Sequence, residues 1–252
     1  MPDQTKSFYE NIAADYHLIS SDWNKSIDWH AGVLDKLITK YRRREGNRLL
    51  DCTCGIGTQI IGLAKLGYQA SGSDLSAKSV RRARKESARR GLQCTYQVSD
   101  VRKLPDKLDE KFDIIISCDN ALPHLMTEEE LGKAAFAIFS LLESDGLFIA
   151  GIRDYDAELE KKPAATPVNS NAERITFQLW DWYKDDEYEL EHIILKRKKG
   201  KLIPAVGKAR YKAYRRETFA KVFGANGFTD ISWLMPDESS YYQPVMIAYK
   251  QK

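Results

Sequence analysis

The chain has 252 residues, 43% apolar and 30% charged, and its 39 Lys and Arg against 36 Asp and Glu give a net charge of +3. This composition is enough for a buried core, excludes a disordered chain and argues against an obligate polyanion binder. With no run of 18 apolar residues and no apolar signal region, we expect no membrane span and a cytoplasmic location.

Apolar residues at helical spacing predict two helices in the first forty residues, separated by the polar break Ser20–Asn24. Strands and helices then alternate, and Gly67 and Gly91 end two of the helices. The predicted strands are Arg48–Cys52, Tyr68–Ser73, Gln93–Val98, Phe112–Cys118 and Gly146–Ile152, and the helices are Gly57–Leu66, Ser76–Arg90 and Thr127–Leu142. This order predicts an α/β fold, a doubly wound parallel sheet with helices on both faces.

After a turn-rich break at Pro163–Pro167 the period changes, which predicts a small antiparallel lobe. Its predicted strands are Ala172–Trp182, Glu187–Arg197 and Ala209–Tyr214, with a turn at Asp185-Asp186. A helix, Glu217–Asn226, and two strands, Phe228–Leu234 and Pro244–Tyr249, predict a final antiparallel hairpin at the sheet edge. The chain thus divides into an N-terminal helical segment (1–45), a main domain (46–160 and 215–252) and an inserted lobe (161–214).

Acidic residues stand at the ends of the first three strands, where a parallel sheet binds ligands. The first, Asp51, precedes a Gly55-Ile56-Gly57 turn that would let a ligand approach the backbone. Ile60 replaces the third glycine of a dinucleotide fingerprint, and no P-loop motif is present. Asp74 could accept both ribose hydroxyls, and Asp100 could hold an adenine edge. Alternatively, Asp74 only caps a helix and Asp51 is a buried turn acid.

The four cysteines predict no metal site. Cys52-x-Cys54 is too tight for zinc spacing and no His pair accompanies it, so we expect small, reduced, buried residues.

The three strand-end acids and the glycine turn resemble the class I S-adenosylmethionine-dependent methyltransferases, by motif over roughly residues 48–152 and by element order elsewhere. The resemblance implies a Rossmann-like, mostly parallel seven-stranded sheet, with residues 1–45 as a helical lid. It also implies S-adenosylmethionine as cofactor and S-adenosylhomocysteine as product. The implied cofactor-binding residues are Tyr16, Trp23, Asp51, Cys54, Gly55, Gly57, Asp74, Leu75, Asp100, Val101, Cys118 and His124.

Two further stretches resemble the glycine and glycine–sarcosine N-methyltransferases. Asn120 with His124 and Leu125 is similar to their Asn-Ser-Phe-x-His-Leu, and Arg153-Asp154-Tyr155-Asp156 to their Arg-Asn-Tyr-Asp, in which the arginine clamps the substrate carboxylate. This resemblance implies an amino acid acceptor such as glycine or sarcosine, with the catalytic set Asn120, His124, Arg153, Tyr155 and Tyr214.

Two departures from these motifs leave another small acceptor open, such as an amino sugar or a secondary metabolite. Ala121 replaces a small hydroxyl residue, and Asp154 replaces an asparagine. Arg153 could also pair with Asp154 or Asp156, and His124 could be a cofactor contact or a buried, capped side chain.

Basic runs at Arg81–Lys85 and Lys196–Lys199 support a competing hypothesis of nucleic-acid binding. The helical repeat spreads the first run over one solvated helix face, the second fits a hairpin end, and neither interleaves with stacking aromatics. We therefore expect neither a nucleic-acid nor a membrane partner. A third hypothesis is a relative that binds cofactor without turnover, and the oligomeric state is open.

Overall fold

The computed structural model describes residues 4–251 as two sheets with helices packed around them. The helices in this range are α1 (Gln4–Ile12), α2 (Trp23–Tyr41), α3 (Thr58–Lys65), α4 (Ala77–Arg89), α5 (Glu128–Leu141), α6 (Tyr155–Lys161), α7 (Arg216–Ala225) and α8 (Pro236–Ser239). Three 3₁₀ turns lie at Tyr16–Ile19, Val101–Asp106 and Leu122–His124. None of these helices combines the length and apolar character needed to cross a bilayer.

The main sheet has seven strands, numbered in chain order: β1 (Arg48–Asp51), β2 (Gln69–Asp74), β3 (Thr95–Val98), β4 (Phe112–Ser117), β5 (Leu142–Gly151), β10 (Phe228–Leu234) and β11 (Val245–Lys250). Across the sheet they lie in the order β10-β11-β5-β4-β1-β2-β3. The strands β1 to β5 pair in parallel, and β11 pairs antiparallel with both β5 and β10. The predicted doubly wound, mostly parallel sheet is confirmed, and so is the terminal hairpin at its edge.

Both faces of this sheet are buried, as the successive isoleucines of β4 predict. Ile114 and Ile116 pack with Leu34 and Leu63 of α2 and α3 on one face. Ile115 points to the opposite face and joins the core formed with α5 and α7. Since side chains alternate along a strand, a central strand between two helical layers must be apolar at every position.

The second sheet is the antiparallel lobe, whose four strands are β6 (Asn169–Ser170), β7 (Arg174–Trp182), β8 (Glu187–Lys198) and β9 (Lys201–Lys212). β9 begins eight residues before the predicted Ala209. Pro204 and Gly207 interrupt the sequence pattern of this strand. Because β9 is an edge strand, proline is tolerated there where its nitrogen faces away from the neighbouring strand. Lys199 and Gly200, both at positive φ, form the tight turn into it.

Helix α2, which borders the site described below, docks on α3 at Gly62. A Cβ built at Gly62 would lie 2.6 Å from the Ala31 Cβ and 2.6 Å from the Ile27 carbonyl oxygen. We expect Gly62→Ala to lower the free energy of unfolding by about 1–3 kcal/mol, because the two helices would have to separate. Gly32→Ala on α2 is the control, since nothing lies within 4 Å of its Cβ position.

That control should raise stability by about 0.5–1 kcal/mol, because glycine is a poor residue inside a helix. Urea denaturation followed by circular dichroism measures both variants. Equal stability of the two would contradict the close contact at Gly62.

Candidate active site

A cavity of about 400 Å³ opens at the carboxyl ends of β1 to β4, and we call it the first cavity. Its lining includes residues that follow each of these four strands, together with four residues of the N-terminal segment, Gln4, Thr5, Tyr9 and Tyr16. The sequence-predicted residues in its lining are Tyr16, Cys54, Gly55, Asp74, Leu75, Asp100, Val101, Cys118 and His124. The parallel topology therefore gathers most of the predicted cofactor residues at one place, as expected for this edge of an α/β sheet.

The glycine turn after β1 is tied directly to Asp74. Gly55 N–H donates to Asp74 Oδ2 at 2.9 Å, and Ser76 N–H donates to Asp74 Oδ1 at 2.8 Å. Burial raises the pKa of Asp74 in spite of these two bonds. Gly55 has φ +51° with nothing within 4 Å of its Cβ position, so any side chain there would stand in open space. Each carboxylate oxygen keeps a second lone pair for a ligand.

Asp51 and Gly57 lie behind this turn, outside the cavity lining. Asp51 is buried, with Oδ1 accepting from Thr53 N–H at 3.2 Å and Oδ2 without a partner among the described residues. Burial raises its pKa well above the usual carboxyl range. Gly57, at φ +95°, starts α3.

Asp100 reaches the first cavity already paired. Both of its oxygens accept from the Arg102 guanidinium, at 2.9 Å to Oδ1 and 2.5 Å to Oδ2. Burial alone would raise the pKa of Asp100, but Arg102 holds it below the usual value. This pairing could not be predicted from the sequence, because an arginine two residues away on an irregular turn carries no periodic signal.

A second, larger cavity of about 1,090 Å³ lies between the N-terminal segment, α2 and the inner face of the lobe. Four residues line both cavities: Tyr9, Tyr16, Thr58 and Asp119. The two cavities therefore meet at these side chains. Trp23 lines the second cavity rather than the first, and its indole N–H donates to Thr58 Oγ1 at 2.9 Å.

Arg153 lines the second cavity without a carboxylate partner among the described residues. Its two terminal nitrogens donate to Tyr188 Oη at 2.8 Å and to Gln178 Oε1 at 3.0 Å. The guanidinium lies 4.7 Å from the Trp180 ring centre and 5.4 Å from that of Tyr211.

The nearby acids that could have paired with Arg153 are engaged elsewhere. Asp154 pairs with Arg216, and Asp156 pairs with Arg216 and Arg215. Arg153 thus presents a positive charge among neutral groups, a costly arrangement unless an anion binds there.

Asn120 and Tyr155 stand behind Arg153 and line neither cavity. Asn120 Oδ1 accepts from Arg153 N–H at 3.0 Å, and its amide donates to Tyr155 Oη at 2.8 Å. Tyr155 Oη is also 2.9 Å from Tyr188 Oη. With both ends of its amide used, Asn120 fixes the backbone and the neighbours of Arg153.

His124 lines the first cavity with both ring nitrogens engaged. Nδ1 lies 3.0 Å from the Arg210 carbonyl and therefore carries the proton, and Nε2 accepts from Tyr9 Oη at 2.9 Å. Burial lowers the pKa of His124 to about 3, against the opposing effect of the Arg210 carbonyl. The imidazole is therefore neutral at physiological pH and has no free nitrogen.

Tyr214, the fifth catalytic candidate, directs its hydroxyl to the backbone and not toward either cavity. It is buried, its hydroxyl donates to the Leu125 carbonyl at 2.7 Å, and it lines neither the first nor the second cavity.

Several residues of the second cavity escaped the sequence analysis. Gln178 and His192 face each other on β7 and β8, and only the docking of the lobe brings them to the same cavity as Tyr9. Asp119 was detectable, because it lies two residues past the end of β4, at the same edge of the sheet where Asp74 ends β2.

His192 is buried on the lobe face of the second cavity, and its lowered pKa predicts that the free energy of unfolding depends on pH. Burial and the charge of Arg153 lower the pKa of His192 to about 4 from the ordinary 6.5. Because the unfolded chain takes up this proton first, stability should fall as pH drops below 6.5. Between pH 7 and pH 5 we expect a loss of about 2 kcal/mol from this group.

Urea denaturation of the wild type and of His192→Gln at both pH values measures this loss. The variant should lack it. A wild type and variant with the same pH dependence would show that His192 titrates normally.

Comparisons with known proteins agree with this geometry. Residues 49–146 match a family model described as a methyltransferase domain. A glycine/sarcosine N-methyltransferase of Aphanothece halophytica is 28% identical over 142 residues, which cover 55% of this chain and 54% of that protein. A dTDP-3-amino-3,4,6-trideoxy-alpha-D-glucopyranose N,N-dimethyltransferase of Streptomyces venezuelae is 30% identical over 112 residues, covering 44% and 45%. The chain thus spans about half the length of these relatives.

Among solved structures, an S-adenosylmethionine-dependent methyltransferase from Clostridium acetobutylicum superposes with a TM-score of 0.78 at 17% identity. The superposition covers 97% of this chain and 99% of that one. It confirms the fold over nearly the whole length, lobe included.

Proposed function

We propose that this chain is a class I S-adenosylmethionine-dependent methyltransferase and that it methylates a small molecule. The methyltransferase-domain match of residues 49–146 and the shared fold support this proposal. S-adenosylmethionine would supply a methyl group on a positively charged sulfur; the acceptor's lone pair forms the new bond while the carbon–sulfur bond breaks and sulfur keeps its electrons. The residues of this chain bind both partners, orient them and exclude water.

The first cavity fits the cofactor in size and chemistry. Gly55 leaves open the space that a side chain would fill, and the half-buried Asp74 faces it with free lone pairs for two ribose hydroxyls. Tyr16 lines the junction with the second cavity, where it can shield the reacting atoms from water. Asp100 remains our proposal for the adenine side, with Arg102 fixing its orientation.

The acceptor is most consistent with the amine of a small amino acid such as glycine or sarcosine. The observation that carries this assignment is Arg153, a guanidinium in the second cavity whose protein partners are uncharged. A guanidinium offers parallel donors that match the two oxygens of a carboxylate, which fixes orientation as well as affinity. Tyr188 and Gln178 hold the guanidinium in place for that contact.

A larger acceptor, such as an amino sugar or a secondary metabolite methylated on nitrogen or oxygen, is the second candidate. The second cavity, about 1,090 Å³, is of the size that holds drug-sized ligands and exceeds the needs of a two-carbon amino acid. The partial similarity to an amino sugar N,N-dimethyltransferase is in keeping with this candidate.

A methyl-transfer screen tests the proposal. Purified protein with methyl-labelled S-adenosylmethionine is offered amino acids, simple amines and amino sugars, and products are identified by mass spectrometry. We expect transfer to an amine-bearing acceptor, with a preference for acceptors that carry a carboxylate. Transfer only to acceptors that lack a carboxylate would contradict the role of Arg153. Transfer to none would favour a protein that only binds the cofactor.

A further inference from the structure

Asp119 stands where the two cavities meet, and the assigned site gives it no role. It lies two residues past the end of β4, lines both cavities and keeps 30% of its side chain accessible. Asp119 and Asn120 are consecutive residues at positive φ, +59° and +63°. Such strained backbone persists only where surrounding contacts enforce it, and it clusters at functional sites.

The carboxylate is held by donors from three different parts of the chain. Oδ1 accepts from the Tyr241 and Tyr242 hydroxyls, each at 2.7 Å, and Oδ2 accepts from Gln59 Nε2 at 2.6 Å. His30 Nε2 lies 3.5 Å from Oδ1. Oδ2 has accepted only one bond, so it retains a lone pair for a ligand.

Asp119 is ionised under physiological conditions. Burial alone would raise the pKa of Asp119, but His30 and the hydroxyls of Tyr241 and Tyr242 lower it to about 2. A carboxylate this acidic is a poor proton acceptor and a good partner for a cation.

Aromatic rings adjoin the carboxylate. Trp29 stacks on Tyr241 at 5.7 Å between ring centres, and Tyr242 lies 5.0 Å from Tyr241. Trp29 and Tyr242 also line the second cavity. Aromatic faces beside a carboxylate favour ammonium groups, including methylated ones.

From this arrangement we propose that Asp119 binds the ammonium group of the acceptor, and that the acceptor is dipolar, with its anionic end at Arg153. This inference rests on the proposed function and deepens it. The same cavity then presents the Asp119 carboxylate and the Arg153 guanidinium, and the amine end lies at the junction, beside the first cavity. Asp119 attracts and orients the ammonium, which gives its proton to water before its nitrogen can accept a methyl group.

Sarcosine and methoxyacetate form a matched pair of probes, since they differ mainly in an ammonium against an ether oxygen. Their affinities for the protein saturated with S-adenosylhomocysteine are measured by calorimetry, in the wild type and in Asp119→Asn. Asparagine keeps the size of the side chain and tolerates positive φ. Asp28→Asn is the control, an exposed aspartate paired with Lys65.

We expect Asp119→Asn to weaken sarcosine binding about tenfold and to leave methoxyacetate binding unchanged, because only sarcosine loses an ionic hydrogen bond. The control should change neither. Equal losses for both probes would indicate a merely structural role, and unchanged sarcosine binding would also overturn the assignment.

The same binding measurements distinguish a failure of this inference from a failure of the proposed function. A wild type that binds S-adenosylhomocysteine but neither probe at tens of millimolar would overturn the dipolar acceptor and leave the cofactor site standing. Absence of S-adenosylhomocysteine binding would overturn the proposed function itself.

Discussion

Arg153→Ala is expected to raise the KM for a carboxylate-bearing acceptor about 100-fold while leaving the affinity for S-adenosylhomocysteine nearly unchanged. The substitution removes the cationic fork of the second cavity, and loss of one partner of a hydrogen-bonded charge pair costs about 2–5 kcal/mol. Arg153 is absent from the lining of the first cavity, which is why cofactor binding should persist. Steady-state kinetics and calorimetry on the same preparation separate the two effects.

Two further variants make this result specific. Arg153→Lys keeps the charge but loses the fork, so it should recover only part of the lost affinity. Arg89→Ala removes an exposed arginine paired with Glu86 and should leave both constants unchanged. A collapse of cofactor binding in Arg153→Ala would show that the guanidinium serves the first cavity or the fold instead of the acceptor.

Asp74→Ala is expected to weaken S-adenosylhomocysteine binding by up to about 3 kcal/mol, the cost of leaving ribose hydroxyls without their acceptor. The same change frees the N–H groups of Gly55 and Ser76, so the glycine turn loses its anchor as well. Asp74→Asn keeps one oxygen acceptor and should lose less. Calorimetric titration measures both dissociation constants.

Thermal unfolding of the Asp74 variants shows whether they have lost structure in general. Asp28→Ala, in an exposed position, should bind like the wild type. An unchanged dissociation constant in Asp74→Ala would refute a ribose contact, and Asp74 would then only anchor the turn and the start of α4.

The main sheet was predictable because its signals are local. Apolar runs such as Ile114–Ile116 mark strands buried on both faces, and polar caps mark where helices begin. Ser76 and Thr127 do cap α4 and α5, with their hydroxyls accepting from Ser79 and Glu130 N–H. Once the strand order is known, the acids at strand ends must share one edge of the sheet.

The lobe and α6 were harder to predict because their patterns are weak or interrupted. Pro204 and Gly207 break the strand signal of β9, which only its edge position makes possible. Helix α6 is seven residues long and follows β5 without a side-chain cap, so neither length nor capping revealed it.

Within the site, sequence indicated which segments meet but not which atoms face the cavities. Asn120 and Asp119 are neighbours, yet one turns its amide toward Arg153 and Tyr155 while the other faces both cavities. Tyr214 is directed to a backbone carbonyl instead. Such choices depend on backbone dihedrals and long-range hydrogen bonds, which leave no trace in residue spacing.

The proposed function and the acceptor site both depend on one claim, that the carboxyl ends of β1 to β3 hold a nucleoside. Calorimetric titration of the wild-type protein with S-adenosylhomocysteine tests this claim most directly. We predict one site per chain, with affinity that falls in Asp74→Ala and stays unchanged in Arg153→Ala. No heat of binding at millimolar ligand, with the protein folded, would contradict it.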